Sequence, residues 1–283
     1  MIRYFQSEDG LQLAYRDTGD GFPVICLAGL TRNSCDFDHL PSQFPDHRFI
    51  CPDARGRGES DWDAKASRYT LGIETRDVQC LMEHLDIRSA CFIGTSRGGL
   101  ITMALASLAP ERLAGFVLND IGPRIERVGL DQIAEWIGRE PGAENFSEGA
   151  GHLARTSRGF ANVPHARWLV EARRRYRQSD SGLRLNYDPA LRDAFLASGN
   201  DDIAEFWEIF ALLSKLPGAV IRGANSELLS AATVRKMIQY KPDLLAVEVP
   251  DRGHCPFLDE PESLRAIAAV LDQGPRSADN RSV

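Results

Sequence analysis

The stretch Gly94-Thr95-Ser96-Arg97-Gly98-Gly99 sets a serine between glycines at the spacing G-x-S-x-G. A short apolar run, Ala90–Gly94, precedes it, and a helix-forming stretch, Leu100–Ala109, follows. A serine on a sharp strand-to-helix turn needs small neighbours two residues away on either side. The helix start then aims its free N–H groups at developing negative charge. This arrangement makes a nucleophile, provided that a base takes the hydroxyl proton. Gly253-His254-Cys255-Pro256-Phe257 supplies one. Of the six histidines, His254 is the one placed after a late strand, and an imidazole is suited to proton transfer near neutral pH. His39, His47, His84, His152 and His165 read as surface or cap residues.

Two carboxylates compete to orient His254. Glu227 is the sole acid in Arg222–Ser230, the loop before the last strand, and gives the chain order Ser…acid…His. It is the first choice. Asp120, in Asn119-Asp120-Ile121-Gly122-Pro123, stands at the end of an earlier strand and is the alternative. Ala28-Gly29-Leu30 closes the third strand, where the N–H of Leu30, together with that of Arg97, is expected to receive an oxyanion. No H-E-x-x-H or C-x-x-C spacing calls for a metal, and no motif calls for a cofactor.

The elements that must hold these residues alternate. Ile2–Ser7 and Leu11–Asp17 read as a hairpin around Glu8-Asp9-Gly10. Pro23–Ala28, Arg48–Asp53, Ala90–Gly94 and Gly115–Asn119 are apolar runs, as in strands buried on both faces. Leu71, Thr75, Val78, Met82 and Leu85 repeat at helical spacing. After Pro123 the alternation stops, and 124–215 reads as mainly helical. It resumes with a strand at Gly218–Arg222, a helix at Ala231–Tyr240, a strand at Leu244–Val249 and a helix at Glu262–Asp272. The expected organisation is an α/β core of 1–123 and 216–273, interrupted by a helical cap of 124–215 and ended by a frayed tail of 274–283.

The chain has 283 residues and a formal charge of −7, and all but four of its 33 basic residues are arginine. That balance argues against a nucleic-acid partner. No apolar run approaches the length of a membrane span, and the start of the chain lacks the apolar core of a secretory signal. The six irregularly spaced cysteines read as reduced thiols, so the expected setting is cytoplasmic. Arg167–Arg177 is a basic, aromatic run with two readings: recognition of an anionic substrate from the cap, or the solvated face of a helix. Trp136, Trp168 and Trp207 read either as lining an apolar pocket or as the cap's own core.

With these motifs the sequence resembles the α/β-hydrolase superfamily over residues 1–272, including Asp53-Ala54-Arg55-Gly56-Arg57-Gly58-Glu59-Ser60, which matches a turn packed beneath the family's site. The resemblance implies an eight-stranded, mostly parallel sheet flanked by helices, with a helical cap inserted after the sixth strand. It implies Ser96 as nucleophile, His254 as base and Glu227 as acid, with Leu30 and Arg97 as oxyanion donors. Ala28-Gly29 stands where the family often has His-Gly, and Glu227 is one methylene longer than the usual Asp. The expected substrate is a small carboxylic ester, thioester or lactone, cleaved through an acyl-enzyme. The alternatives are hydrolysis of a C–C bond next to a carbonyl, or a cofactor-free haloperoxidase or lyase activity on the same residues. A serine rather than a carboxylate nucleophile argues against haloalkane dehalogenase and epoxide hydrolase chemistry.

Overall fold

The structure, a computed structural model, describes residues 1–198 and 205–274. Its strands are β1 (Ile2–Gln6), β2 (Gln12–Thr18), β3 (Phe22–Leu27), β4 (His47–Pro52), β5 (Ala90–Thr95), β6 (Leu113–Asn119), β7 (Tyr176–Ser179), β8 (Gly182–Leu185), β9 (Gly218–Gly223) and β10 (Leu245–Val249). Eight of them form one sheet in the order β1-β2-β4-β3-β5-β6-β9-β10. β2 pairs antiparallel with β1 and β4, and every other pair is parallel. This is the expected fold class, and the expected hairpin pairs Gln6 with Gln12.

The helices are α1 (Leu40–Gln43), α2 (Leu71–His84), α3 (Arg97–Leu108), α4 (Arg127–Trp136), α5 (Phe146–Thr156), α6 (His165–Arg175), α7 (Leu191–Ser198), α8 (Trp207–Leu212), α9 (Ala231–Tyr240) and α10 (Pro261–Leu271). Side chains of the central strands alternate between two cores, as the two-residue period of a strand requires. Ile25, Leu27, Phe92, Phe116 and Leu118 meet α2, α3, α8 and α9 on one face. Val24, Cys26, Ile93, Val117 and Ile221 meet α1 and α10 on the other. No helix among the described residues is long and apolar enough to cross a membrane.

Helices α4 to α8 lie between β6 and β9, in the segment expected to be mainly helical, and two features there are added by the structure. β7 and β8 form an antiparallel hairpin, with Tyr176 opposite Leu185. Helix α8 packs with the sheet core, because Trp207, Phe210 and Leu213 present one apolar face to α3 and Phe116. Trp168 is buried with Phe160 and Phe257, whereas Trp136 is half exposed. Of the expected tail, 275–283 lies outside the described residues.

Candidate active site

Parallel register brings the site together. Thr95 pairs with Asn119, and Asn119 pairs with Ile221, so Ser96 and Asp120 emerge side by side next to Gly223. Val249 pairs with Gly223 and sends the following loop, with His254, over the same edge. Ser96 has φ of 50° and ψ of −113°, a left-handed geometry that costs a non-glycine residue on the order of 1–3 kcal/mol. Close packing explains the flanking glycines: a Cβ on Gly94 would lie 2.6 Å from Gly98, and one on Gly98 would lie 2.1 Å from the Leu27 carbonyl oxygen.

His254 Nε2 lies 2.9 Å from Ser96 Oγ, and Nδ1 lies 2.6 Å from Asp120 Oδ2. A carboxylate can only accept, so Nδ1 carries the hydrogen and leaves Nε2 to accept from the serine hydroxyl in the neutral ring. Asp120 is fully buried, and its φ of 55° turns it into the site. It also accepts the Gly223 N–H at 2.8 Å and the Ser226 hydroxyl at 2.6 Å. Sequence reasoning missed Ser226.

The assignment of Glu227 as the partner of His254 is therefore corrected. Ser226 is buried and turned inward, so the next side chain in the loop, Glu227, is thrown outward. Its exposed carboxylate accepts from the Gln132 side chain instead. The alternative carboxylate, Asp120, occupies the position.

The Leu30 loop lies against the nucleophile, since a Cβ built on Gly29 would sit 3.8 Å from Ser96 Cβ. Arg57, from the turn beneath, donates to the Leu30 carbonyl at 2.7 Å and to Glu74 at 2.7 Å. The Arg97 side chain also reaches Glu74, at 2.7 Å, and its backbone N–H is the first of α3. Burial alone would raise the Glu74 carboxyl, but the guanidiniums of Arg57 and Arg97 hold it below its usual range.

One residue after Thr31, Arg32 ties this loop to α6. It pairs bidentately with Asp36 and donates to Glu171 at 2.6 Å. Glu171 is fully buried and also meets Arg167, Arg174 and Arg175 at 3.2–3.4 Å. Part of the basic run thus turns inward onto an acid rather than out to solvent. The signal was in the sequence: Glu171 is the one acid within Arg167–Arg177 and stands three or four residues from each of those arginines.

A cavity of about 570 Å³ opens onto His254 and Thr31, with walls that include Phe160, Tyr176 and Leu185. That volume suits a small molecule. The arrangement gives a hydroxyl, a base to take its proton, a carboxylate to hold the base, and a helix start beside the hydroxyl, with the base lining the cavity. These are the parts required for acyl transfer.

Comparison with known proteins identifies the family. The model of the alpha/beta hydrolase fold matches residues 23–261. The chain is 34% identical over 275 residues to a 3-hydroxybutyrate-oligomer hydrolase of Cupriavidus necator, covering 93% of each. It is 27% identical over 266 residues to a 2-(acetamidomethylene)succinate hydrolase of Mesorhizobium japonicum, covering 93% of this chain and 92% of that one. The crystal structure of an alpha/beta hydrolase from Novosphingobium aromaticivorans superposes with a TM-score of 0.91 at 37% identity, over 96% of this chain and 98% of that one. With its sheet order, the strained serine turn and these matches, the chain belongs to the α/β-hydrolase family.

Proposed function

We propose that the protein is a serine hydrolase of small-molecule carboxylic esters, thioesters or lactones, working through an acyl-enzyme. The observation that carries this reading is the unbroken line Ser96 Oγ to His254 Nε2 at 2.9 Å and His254 Nδ1 to Asp120 at 2.6 Å. Ser96 attacks the substrate carbonyl as its proton passes to Nε2 of His254. Asp120 stabilises the resulting imidazolium and fixes the ring orientation. The oxyanion of the tetrahedral intermediate is received by the backbone N–H groups of Leu30 and Arg97. His254 returns the proton to the leaving alcohol or thiol, which departs, or to the ring oxygen of a lactone, which stays on the opened acyl chain as a hydroxyl. It then deprotonates the water that frees the acid and regenerates Ser96. The 3-hydroxybutyrate-oligomer hydrolase relative supports the ester branch, because an oligomer of a hydroxy acid is joined through ester bonds.

The test is covalent labelling with a fluorophosphonate, followed by turnover of a panel of p-nitrophenyl esters and lactones. Ser96 is expected to carry the label, and a folded Ser96→Ala protein is expected to lose both label and turnover. Full activity in that variant refutes the reading.

A further inference from the structure

The cavity wall built by the segment between β6 and β9 carries positive charge that the protein leaves unmatched. Arg139, Arg155, Arg158 and Arg175 line the cavity, as do Glu135, Glu140 and Glu227. Two of those carboxylates pair with an arginine, and the third accepts from a neutral amide. Glu135 takes Arg158 at 3.2 Å, Glu140 takes Arg184 at 3.7 Å, and Glu227 takes Gln132. Arg139 and Arg155 form no ion pair among the described residues.

Arg175 is under-satisfied in a different way. Its side chain makes one hydrogen bond among the described residues, from Nη2 to Glu171 at 3.4 Å, and its buried Nε has no acceptor. Glu171 is shared among four arginines, with its shortest bond going to Arg32. Burial and the neighbouring Arg32 push the Arg175 guanidinium below its usual range. Burial and Arg155 do the same to His152, another residue of this wall. Burial is the larger cause of both shifts and a neighbouring arginine the second, so an anion bound beside these groups would favour their charged forms.

We propose that Arg139, Arg155 and Arg175 form a carboxylate-binding subsite, so that the substrate is a small ester carrying a free carboxylate remote from the bond that is cleaved. This rests on the serine-hydrolase reading and adds the substrate's charge. A planar guanidinium matches a carboxylate through paired N–H donors; Arg175 is partly buried and so less screened by salt than Arg139 and Arg155, which are exposed. The same cavity is lined by Phe160, Tyr176 and Leu185 as well as the arginines and His254, and such aromatic and aliphatic walls fit a short carbon chain joining the carboxylate to the ester.

The test uses two matched pairs with the full-length protein. p-Nitrophenyl hydrogen glutarate is compared with its methyl ester, and 3-acetoxybutyrate with methyl 3-acetoxybutyrate. The first pair carries the charge on the acyl side and the second on the alcohol side. In one pair, kcat/KM for the free acid is expected to exceed that of the methyl ester by about tenfold, the scale of one charge-assisted contact. Arg139→Gln and Arg155→Gln are expected to shrink that ratio several-fold by raising KM for the acid. Arg265→Gln, on the far helix α10, is expected to leave the ratio unchanged. A second readout needs no turnover: glutarate should slow fluorophosphonate labelling of Ser96 more than dimethyl glutarate does. Equal kcat/KM within both pairs together with equal protection overturns the subsite. Absence of both label and turnover defeats the hydrolase reading itself, and the subsite with it.

Discussion

Ser226 places its hydroxyl 2.6 Å from Oδ2 of Asp120, the same oxygen that receives Nδ1 of His254 at 2.6 Å. With the Gly223 N–H on the other oxygen, three donors hold one buried carboxylate. The loop expected to deliver the acid thus delivers a donor that fixes the acid in place.

Asp120→Asn is accordingly expected to lower kcat by on the order of 10⁴, the cost of an orienting carboxylate in the serine-protease precedent. Glu227→Gln is expected to stay within about threefold of wild type, because its exposed side chain does not touch His254 and surface changes are usually mild. Steady-state kinetics on the two purified variants decide the matter. A dead Glu227→Gln beside an active Asp120→Asn reverses the assignment.

Ser226→Ala removes one of the donors that hold Asp120. Hydrogen bonds to charged groups contribute about 1.5–3 kcal/mol. Part of that is expected to appear as roughly a tenfold fall in kcat with KM little changed. Ser226→Thr keeps the hydroxyl and is expected to recover most of the loss. If Ala and Thr behave alike, the hydroxyl is not what matters at this position.

How far the sequence reached depends on how local each signal is. Phe22–Leu27 and Ala90–Thr95 were legible because a strand buried on both faces has to be apolar throughout. Ser96 was legible because close packing excludes side chains at Gly94 and Gly98. Asp120 and Glu227 could not be ranked this way. What separates them is the turn of Asp120 at φ 55° and its reach across the sheet to Gly223 and Ser226, and periodicity carries neither. The β7–β8 hairpin hid behind Arg177, Gln178 and Arg184, whose polar side chains read like a helix surface. The cue against a helix was the turn-forming Ser179-Asp180-Ser181-Gly182.

Burial pushes the thiol of Cys255 up to about 12, and that of Cys91 likewise to about 12. The thiolate is the reactive form, so both should be inert near neutral pH, Cys255 included although it adjoins His254. Native protein at pH 8 is expected to react with Ellman's reagent at far fewer than its six free thiols within minutes, and at all six in guanidinium. Peptide mapping that finds Cys255 modified early in the native protein contradicts this account.

Glu171, on α6, is a buried acid shared by four arginines, of which Arg175 lines the cavity. Burial would raise its carboxyl, but Arg32, with Arg175 and Arg167, outweighs burial and holds it well below the usual carboxylate range. A carboxylate whose folded pKa is depressed stabilises the fold above its unfolded value, about 4.3. That contribution disappears as pH falls through the folded value. Glu171→Gln leaves several guanidiniums facing one another without their shared acid, and removing one partner of a buried ion pair costs about 3–5 kcal/mol. The variant is expected to melt on the order of 5–10 °C lower than wild type at pH 7. The gap should persist at pH 5 and narrow only below about pH 4, where the carboxylate of the unfolded chain takes up its proton while that of the folded protein stays ionised. Because Glu171 holds Arg32, one residue beyond Thr31 on the oxyanion loop, turnover is expected to fall as well. Thermal unfolding of both proteins from pH 3 to 8 tests this, and coincident melting curves at pH 7 would show that the arginine cluster does not need its acid.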